Sequence, residues 1–114
     1  MHREGIDPDN VTPADILCDF CGVAAWAADK PCVEGHQGSI VCGDCLSKAY
    51  VAIILHGESS KTGYKCRMCL EHREESVWLG EIKPIAPICK RCIKQAAGAL
   101  TKSKAWSWIK PIEG

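Results

Sequence analysis

The sequence has few of the side chains that fill a large core. Its 114 residues include one Phe and two Tyr, and the longest nearly apolar run, residues 49–55, is far too short to span a bilayer. The N-terminal segment lacks the apolar stretch of a signal peptide and is rich in acidic residues. We therefore expect a small cytoplasmic protein without a membrane anchor, which needs something besides burial to hold its fold.

The formal net charge is zero, but the charges are unevenly distributed along the chain. Residues 1–60 carry three Lys or Arg against nine Asp or Glu, whereas residues 61–114 carry eleven against five. A site of four thiolates around a divalent ion would make the acidic half more acidic and the basic half less basic. This weakens a purely electrostatic case for nucleic-acid binding.

Cysteine is what the sequence has in excess. The count of nine is odd, which fits poorly with complete disulfide pairing, and cytoplasmic thiols stay reduced, so metal binding is favoured. Eight of the nine form four Cys-x-x-Cys pairs: Cys18/Cys21, Cys42/Cys45, Cys66/Cys69 and Cys89/Cys92.

The four pairs belong to two copies of one unit. A shift of 48 residues places the first pair on the third, a shift of 47 places the second on the fourth, and residues 42–49 align with residues 89–96. A fixed period of this kind indicates a supersecondary unit that is used twice. We therefore expect the pairs to group sequentially, with cross-bracing of the first and third pairs as the alternative.

Each unit is predicted to contain a cysteine turn, a β-hairpin and a helix. Gly22 follows the first turn, residues 31–41 and 76–85 have the composition of hairpins, and apolar residues recur at helical spacing after Cys45 and Cys92. A helix N-terminus also stabilises the thiolate form that binds metal. This order is that of a treble clef, so the sequence predicts a small metal-stabilised α+β protein with two tandem treble-clef or zinc-ribbon-like units.

The boundaries of these units follow from the same pattern. Residues 1–17 are an N-terminal extension with a short helix that begins near Thr12 and Pro13. Residues 18–57 form the first unit, residues 58–65 a polar linker, residues 66–104 the second unit and residues 105–114 a tail with tryptophans.

Four thiolates complete the tetrahedron that zinc prefers in structural sites and leave no position for water. We predict two Zn²⁺ per chain, the first bound by Cys18, Cys21, Cys42 and Cys45 and the second by Cys66, Cys69, Cys89 and Cys92. Rubredoxin-like iron is the alternative, but both pairs of such a site normally lie in glycine-containing turns, whereas here the second pair runs into a helix. A redox dithiol would predict one active pair rather than four.

Cys32, His36 and His72 lie near the ligands without a place in either set. Cys32 has no counterpart in the second unit, and we expect it to be a small hairpin residue; exchange with a ligand or an intermolecular link are the alternatives. We expect the histidines to be hairpin or loop residues, with a hydrogen bond to a ligand sulfur as the alternative.

Three stretches of the first unit lead into its apolar helix: Cys18-Asp-Phe-Cys21-Gly, Val33-Glu-Gly35 and Ile40-Val-Cys42-Gly-Asp-Cys45. Over about residues 17–56 they resemble the N-terminal four-cysteine zinc-binding domain of the ClpX unfoldase family. The second unit keeps the cysteine frame but lacks the glycine after its first pair. The resemblance implies a treble clef that dimerises and recruits substrates and adaptors. It does not imply an unfoldase, because no Walker A sequence is present.

Two functions compete, and neither is enzymatic, because no Ser/His/Asp set, paired acid site or phosphate loop is visible. The helix after Cys45 is apolar nearly all round, so the second unit or another chain must cover it. A protein partner or a homodimer would contact Tyr50, Ile54 and Leu55, which makes an interaction or adaptor module our first hypothesis. The alternative is a nucleic-acid-binding or transcription-regulatory protein that uses Lys90, Arg91, Lys94, Lys102, Lys104, Trp106 and Trp108.

Overall fold

The computed structural model describes residues 1–112 except 6, 8, 59–61, 73, 104, 105 and 107. Its elements are a 3₁₀ turn at Pro13–Asp15, strand β1 (Cys32–Glu34), a 3₁₀ turn at His36–Gly38, β2 (Ile40–Cys42), helix α1 (Gly43–Ala49) with a π-helical continuation (Tyr50–Leu55), β3 (Val77–Leu79), β4 (Pro87–Cys89) and α2 (Lys90–Lys102). The predicted α+β class is confirmed. None of the helices in the described part of the chain has the length and apolar composition of a membrane span.

The strands form two separate antiparallel hairpins, β1–β2 and β3–β4, and each hairpin runs directly into a helix. The hairpin expected within residues 31–41 is present. The expectation for residues 76–85 is wrong in its second strand, since β4 begins at Pro87 and residues 81–84 form a bend. This displacement has a physical reason: β4 ends on Cys89, next to α2, where Cys89 and Cys92 join the sulfurs of Cys66 and Cys69.

The N-terminal turn begins where the sequence indicates. Thr12 caps it, its backbone N–H and hydroxyl both donate to the Asp15 carboxylate, and Pro13 takes the first helical position. Of the predicted linker, residues 59–61 lie outside the described residues, and the unit boundaries stay a prediction.

The first helix packs against the second unit along its length. The α1 helix contacts α2, and the π-helical continuation contacts both α2 and β3. Leu46, Ala49 and Ile53 are buried in the same core cluster as Ile93 and Leu100 of α2. The two units therefore share one core.

The two units also contact each other reciprocally through their cysteine turns. The Phe20 carbonyl, in the first turn, accepts a hydrogen bond from the Glu81 backbone N–H at 2.7 Å. The Met68 carbonyl occupies the equivalent position 48 residues later and accepts from the His36 backbone N–H at 2.8 Å. Each hairpin thus lies on the other unit's cysteine turn, in the pattern that a two-fold axis produces.

An ion pair between a buried carboxylate and a partly exposed guanidinium joins the two cysteine turns directly. The Asp19 side chain is 2% exposed, and its Oδ2 accepts from Arg67 Nε at 2.6 Å. Its Oδ1 accepts from the backbone N–H of Ile40 at 2.9 Å and from the Met1 amino group at 2.6 Å. Asp19 and Arg67 occupy equivalent positions in the two units. The same position of the repeat therefore carries an acid in one unit and a base in the other, and these two side chains pair.

Two hairpin glycines permit this close approach. A Cβ at Gly80 would lie 2.8 Å from Phe20 Cα and 2.9 Å from its carbonyl oxygen. A Cβ at Gly35 would lie 2.8 Å from the Met68 carbonyl oxygen. Both neighbours are backbone atoms, which cannot move aside as a flexible side chain does.

We predict that Gly80→Ala destabilises the protein by about 1–3 kcal/mol, because the added methyl group forces the two units apart. Gly98→Ala is the matched control: among the described residues, no atom beyond its chain neighbours and its own helix backbone lies within 4 Å of the added Cβ, and the residue lies inside α2. The control should raise stability by up to about 1 kcal/mol. Thermal unfolding of the two metal-loaded variants checks this, and equal midpoints would contradict the interface described above.

Candidate metal centres

Eight of the nine cysteines converge in two clusters, one in each unit. Cys18, Cys21, Cys42 and Cys45 form cluster 1, and Cys66, Cys69, Cys89 and Cys92 form cluster 2, with all four Sγ atoms of each within 4.8 Å of one another. The grouping is the sequential one. Among the described residues no other set of His, Cys, Asp or Glu side chains converges in this way.

The first two ligands of each cluster lie in a tight turn. In cluster 1 the Gly22 N–H donates to the Cys18 carbonyl at 2.9 Å, and Gly22 has a φ of 81°. In cluster 2 the Leu70 N–H donates to the Cys66 carbonyl at 2.9 Å, and Leu70 has a φ of 61°. Leu70 therefore adopts the left-handed conformation that favours glycine, at the position where the sequence lacks one.

The last two ligands of each cluster lie where a strand becomes a helix. Cys42 ends β2 and caps α1, and Cys45 lies in the first helical turn. Cys89 and Cys92 hold the same positions relative to β4 and α2. The free N–H groups and the positive end of each helix therefore point to the sulfurs, where they stabilise negative charge.

Backbone N–H groups donate directly to the ligand sulfurs. Cys18 Sγ accepts from the N–H groups of Phe20 and Cys42, both at 3.4 Å. Cys66 Sγ accepts from the Cys89 N–H at 3.4 Å, as its equivalent Cys18 accepts from Cys42. Such bonds favour the thiolate over the thiol.

The thiols of each cluster compete for ionisation. The thiols of Cys42 and Cys45 donate to Cys18 and lower its pKa well below the usual range. Donation to Cys18 in turn raises the pKa of Cys42 to about 12 and also raises that of Cys45. In cluster 2 the pKa of Cys66 is lowered, and donation to Cys66 raises the pKa of Cys89 to about 11 and also raises that of Cys92. Full ionisation of either cluster therefore requires a cation.

The distances fit a tetrahedral ion. A metal–sulfur bond of about 2.3 Å gives a tetrahedral edge of about 3.8 Å between sulfurs. Cys21 Sγ lies 3.7 Å from Cys42 Sγ, and Cys69 Sγ lies 3.9 Å from Cys89 Sγ. Each cluster could therefore hold one metal ion with four sulfur ligands.

Cys32 and the two histidines, which the sequence places near the ligands but outside both sets, lie beside the clusters. Cys32 is half-buried on β1 opposite Cys42, outside the four-sulfur set, and burial raises the pKa of its thiol. His36 is exposed in the turn between β1 and β2, and His72 is exposed where its backbone pairs with Lys65.

The residues predicted to contact partners differ in how far they are exposed. Tyr50, Ile54 and Leu55 are half-buried, and the first two pack against the shared core. Of the predicted nucleic-acid contacts, Lys90, Arg91, Lys94 and Lys102 are exposed on α2, and Lys104 lies outside the described residues. Trp106 and Trp108 are half-buried against the core.

Sequence reasoning missed the structural contacts of three residues beside the clusters, although it named Trp108 for another role. Trp108 covers the start of α1, where its Nε1 donates to the Gly43 carbonyl at 3.1 Å and to Ser47 Oγ at 3.0 Å. The other two are Asp19 and Arg67, between the cysteines of the first and third pairs. Their opposite charges at equivalent positions of the repeat were a signal that could have been found.

We compared the chain with models of protein families, with curated proteins and with solved structures, and none of them matches it. The resemblance to the ClpX-type domain therefore depends on the cysteine frame and its neighbouring residues alone.

We predict that metal affinity falls as the pH is lowered. In the metal-free fold the raised pKa values of Cys42, at about 12, and of Cys89, at about 11, keep both thiols protonated at neutral pH. A metal ion must displace these protons, so its apparent affinity rises with pH and is lost on acidification. Calorimetric titration in buffers of different ionisation enthalpy counts the released protons. An affinity that stays constant between about pH 5 and about pH 8 would contradict thiolate ligation.

Proposed function

We propose that the chain is a non-enzymatic zinc protein, with two structural Zn²⁺ ions that hold together two treble-clef units of the ClpX type. One observation carries this proposal: each cluster presents four sulfurs and, within the part of the chain that the structure describes, no fifth His, Cys, Asp or Glu donor. Four sulfurs around one ion would leave no coordination position for water or substrate. Zinc is favoured over iron because the second pair of each cluster opens a helix instead of lying in a second glycine turn. A reducing compartment such as the cytoplasm would keep all nine thiols available.

The surfaces that the clusters support would then act as an adaptor for another protein. The ClpX resemblance implies units that dimerise, and the reciprocal contacts between the two cysteine turns support such a pairing within one chain. The faces between the units are therefore occupied, and a partner would bind on the outside. Ile109 and Ile112, with side chains that are 85% and 86% exposed, follow Trp108 and are apolar candidates for that contact.

Nucleic-acid binding is the second candidate, and a specific observation favours it. Lys90, Arg91 and Lys94 line one surface cavity of about 410 Å³ at the start of α2. Against it, Glu75 lines the same cavity and Glu71 lies 3.9 Å from Arg91, so carboxylates neutralise part of the charge. Trp108 is half-buried against the core and its ring N–H is bonded to α1, which leaves less of the ring to stack on a base.

We expect native mass spectrometry combined with elemental analysis to give two zinc ions per chain. The same spectrum reports the oligomeric state. One metal or none, or iron in the purified protein, would contradict the proposed zinc sites, whatever the partner is.

A pair of matched charge variants distinguishes the two functions. Ile109→Asp with Ile112→Asp should abolish capture of a protein partner, while Lys90→Glu with Lys94→Glu should leave it intact, because only the first pair alters the apolar surface. Titration with single- and double-stranded DNA at two salt concentrations is the complementary measurement. Salt-dependent binding that the lysine variants abolish would favour the nucleic-acid function instead.

A further inference from the structure

The ninth cysteine faces a metal ligand across the first hairpin. Cys32 on β1 is the register partner of Cys42 on β2. The Gly43 N–H donates to the Pro31 carbonyl at 2.7 Å, so the flanking residues carry the hydrogen bond and Cys32 and Cys42 form a non-hydrogen-bonded pair. Side chains of such a pair lie on the same face of the sheet, with Cα atoms about 4.5 Å apart. Disulfides span Cα separations of about 4.4–6.8 Å, so this position can accept one.

The second hairpin has the same register without the second thiol. Val77 on β3 is the partner of Cys89 on β4, and Cys89 holds in cluster 2 the position that Cys42 holds in cluster 1. The two clusters otherwise have nearly the same ligand spacing, and both place their last two ligands at the start of a helix. In both, the N–H of the third cysteine donates to the sulfur of the first. One half of the chain is therefore an internal control for the other.

The pair lies beside a surface cavity, although Cys42 itself is only 2% exposed. Cys42 lines a surface cavity of about 450 Å³ whose other walls include Pro31, Asp44, Ser47 and Trp108. Cys32 itself is half-buried. Peroxide, which is little larger than water, fits such an opening.

We propose that Cys32 and Cys42 are an oxidative modification site, at which a cross-strand disulfide removes one of the four ligands of cluster 1. Cys42 reacts as its thiolate, which metal ligation would maintain and which is a minor species in the metal-free fold at neutral pH. The thiolate attacks a peroxide oxygen, the O–O bond breaks and hydroxide leaves, which gives a sulfenic acid. The Cys32 sulfur then attacks the Cys42 sulfur, the S–O bond breaks and water leaves. Two electrons pass from the two sulfurs to hydrogen peroxide, which becomes two molecules of water with the Cys32 proton and one proton from solvent.

The consequence is selective loss of metal from one cluster. After the disulfide forms, Cys18, Cys21 and Cys45 remain, and three sulfurs do not complete the closed tetrahedron. Cluster 2 keeps its four ligands because Val77 has no sulfur to offer. This inference rests on the proposed metal binding for ion release, but not for formation of the disulfide.

The test treats the full chain, loaded with Zn²⁺, with a small molar excess of hydrogen peroxide. A chromogenic chelator follows zinc release, and peptide mass mapping locates the disulfide. We expect one of the two ions to leave first, together with a link between Cys32 and Cys42. Cys32→Val gives β1 the residue that β3 has, and should slow release of that first ion by about tenfold or more, since a facing thiol acts at high effective concentration.

The reverse variant, Val77→Cys, should make cluster 2 release its ion as readily as cluster 1, with a disulfide between the introduced thiol and Cys89. Links only within Cys-x-x-Cys pairs, or wild-type release from Cys32→Val, would overturn the proposal. The zinc content measured before peroxide is added tests the metal sites separately. A chain without metal that still links Cys32 to Cys42 would support the modification site and refute the proposed function.

Discussion

Four sulfur atoms held within 4.8 Å of one another in each half form the constraint on which the other elements depend. Two sulfurs come from a tight turn and two from the junction of a strand and a helix. Bringing the four sulfurs together therefore fixes how the turn, the strand and the helix are oriented relative to one another. Because like charges this close repel, the arrangement is stable with four thiolates only around a cation. Short hairpins of three-residue strands then suffice, although such hairpins are marginal alone.

The second constraint is that each half completes the other. The hairpin of each half donates a backbone N–H to a carbonyl in the cysteine turn of the other half, and the core continues from α1 into α2. The two copies carry complementary charges where they meet, Asp19 in one turn and Arg67 in the other. If both turns carried an acid at this position, the two carboxylates would repel each other. A buried carboxylate of this kind costs desolvation energy and is tolerated because Arg67, Ile40 and the Met1 amino group all donate to it.

The sequence predicted the parts of the fold that depend on local spacing. The cysteine frame, the helices after Cys45 and Cys92, the first hairpin and the cap at Thr12 all follow from residues that are near each other in the chain. The return strand of the second hairpin was misplaced because its position depends on Cys89 closing the cluster. The left-handed Leu70 and the Asp19–Arg67 pair were not predictable from propensity, since tertiary contacts override it.

Amide hydrogen exchange of the metal-loaded Cys92→Ser variant tests most directly whether the two halves form one cooperative structure. Loss of a cluster 2 ligand should reduce protection not only in β4 and α2 but also at Val33 and Val41 of the first hairpin, because the neighbouring Gly35–His36 segment lies against Met68 and α1 packs against α2. Wild-type protection throughout β1 and β2 in this variant would contradict the account. It would mean that the two four-cysteine units fold independently.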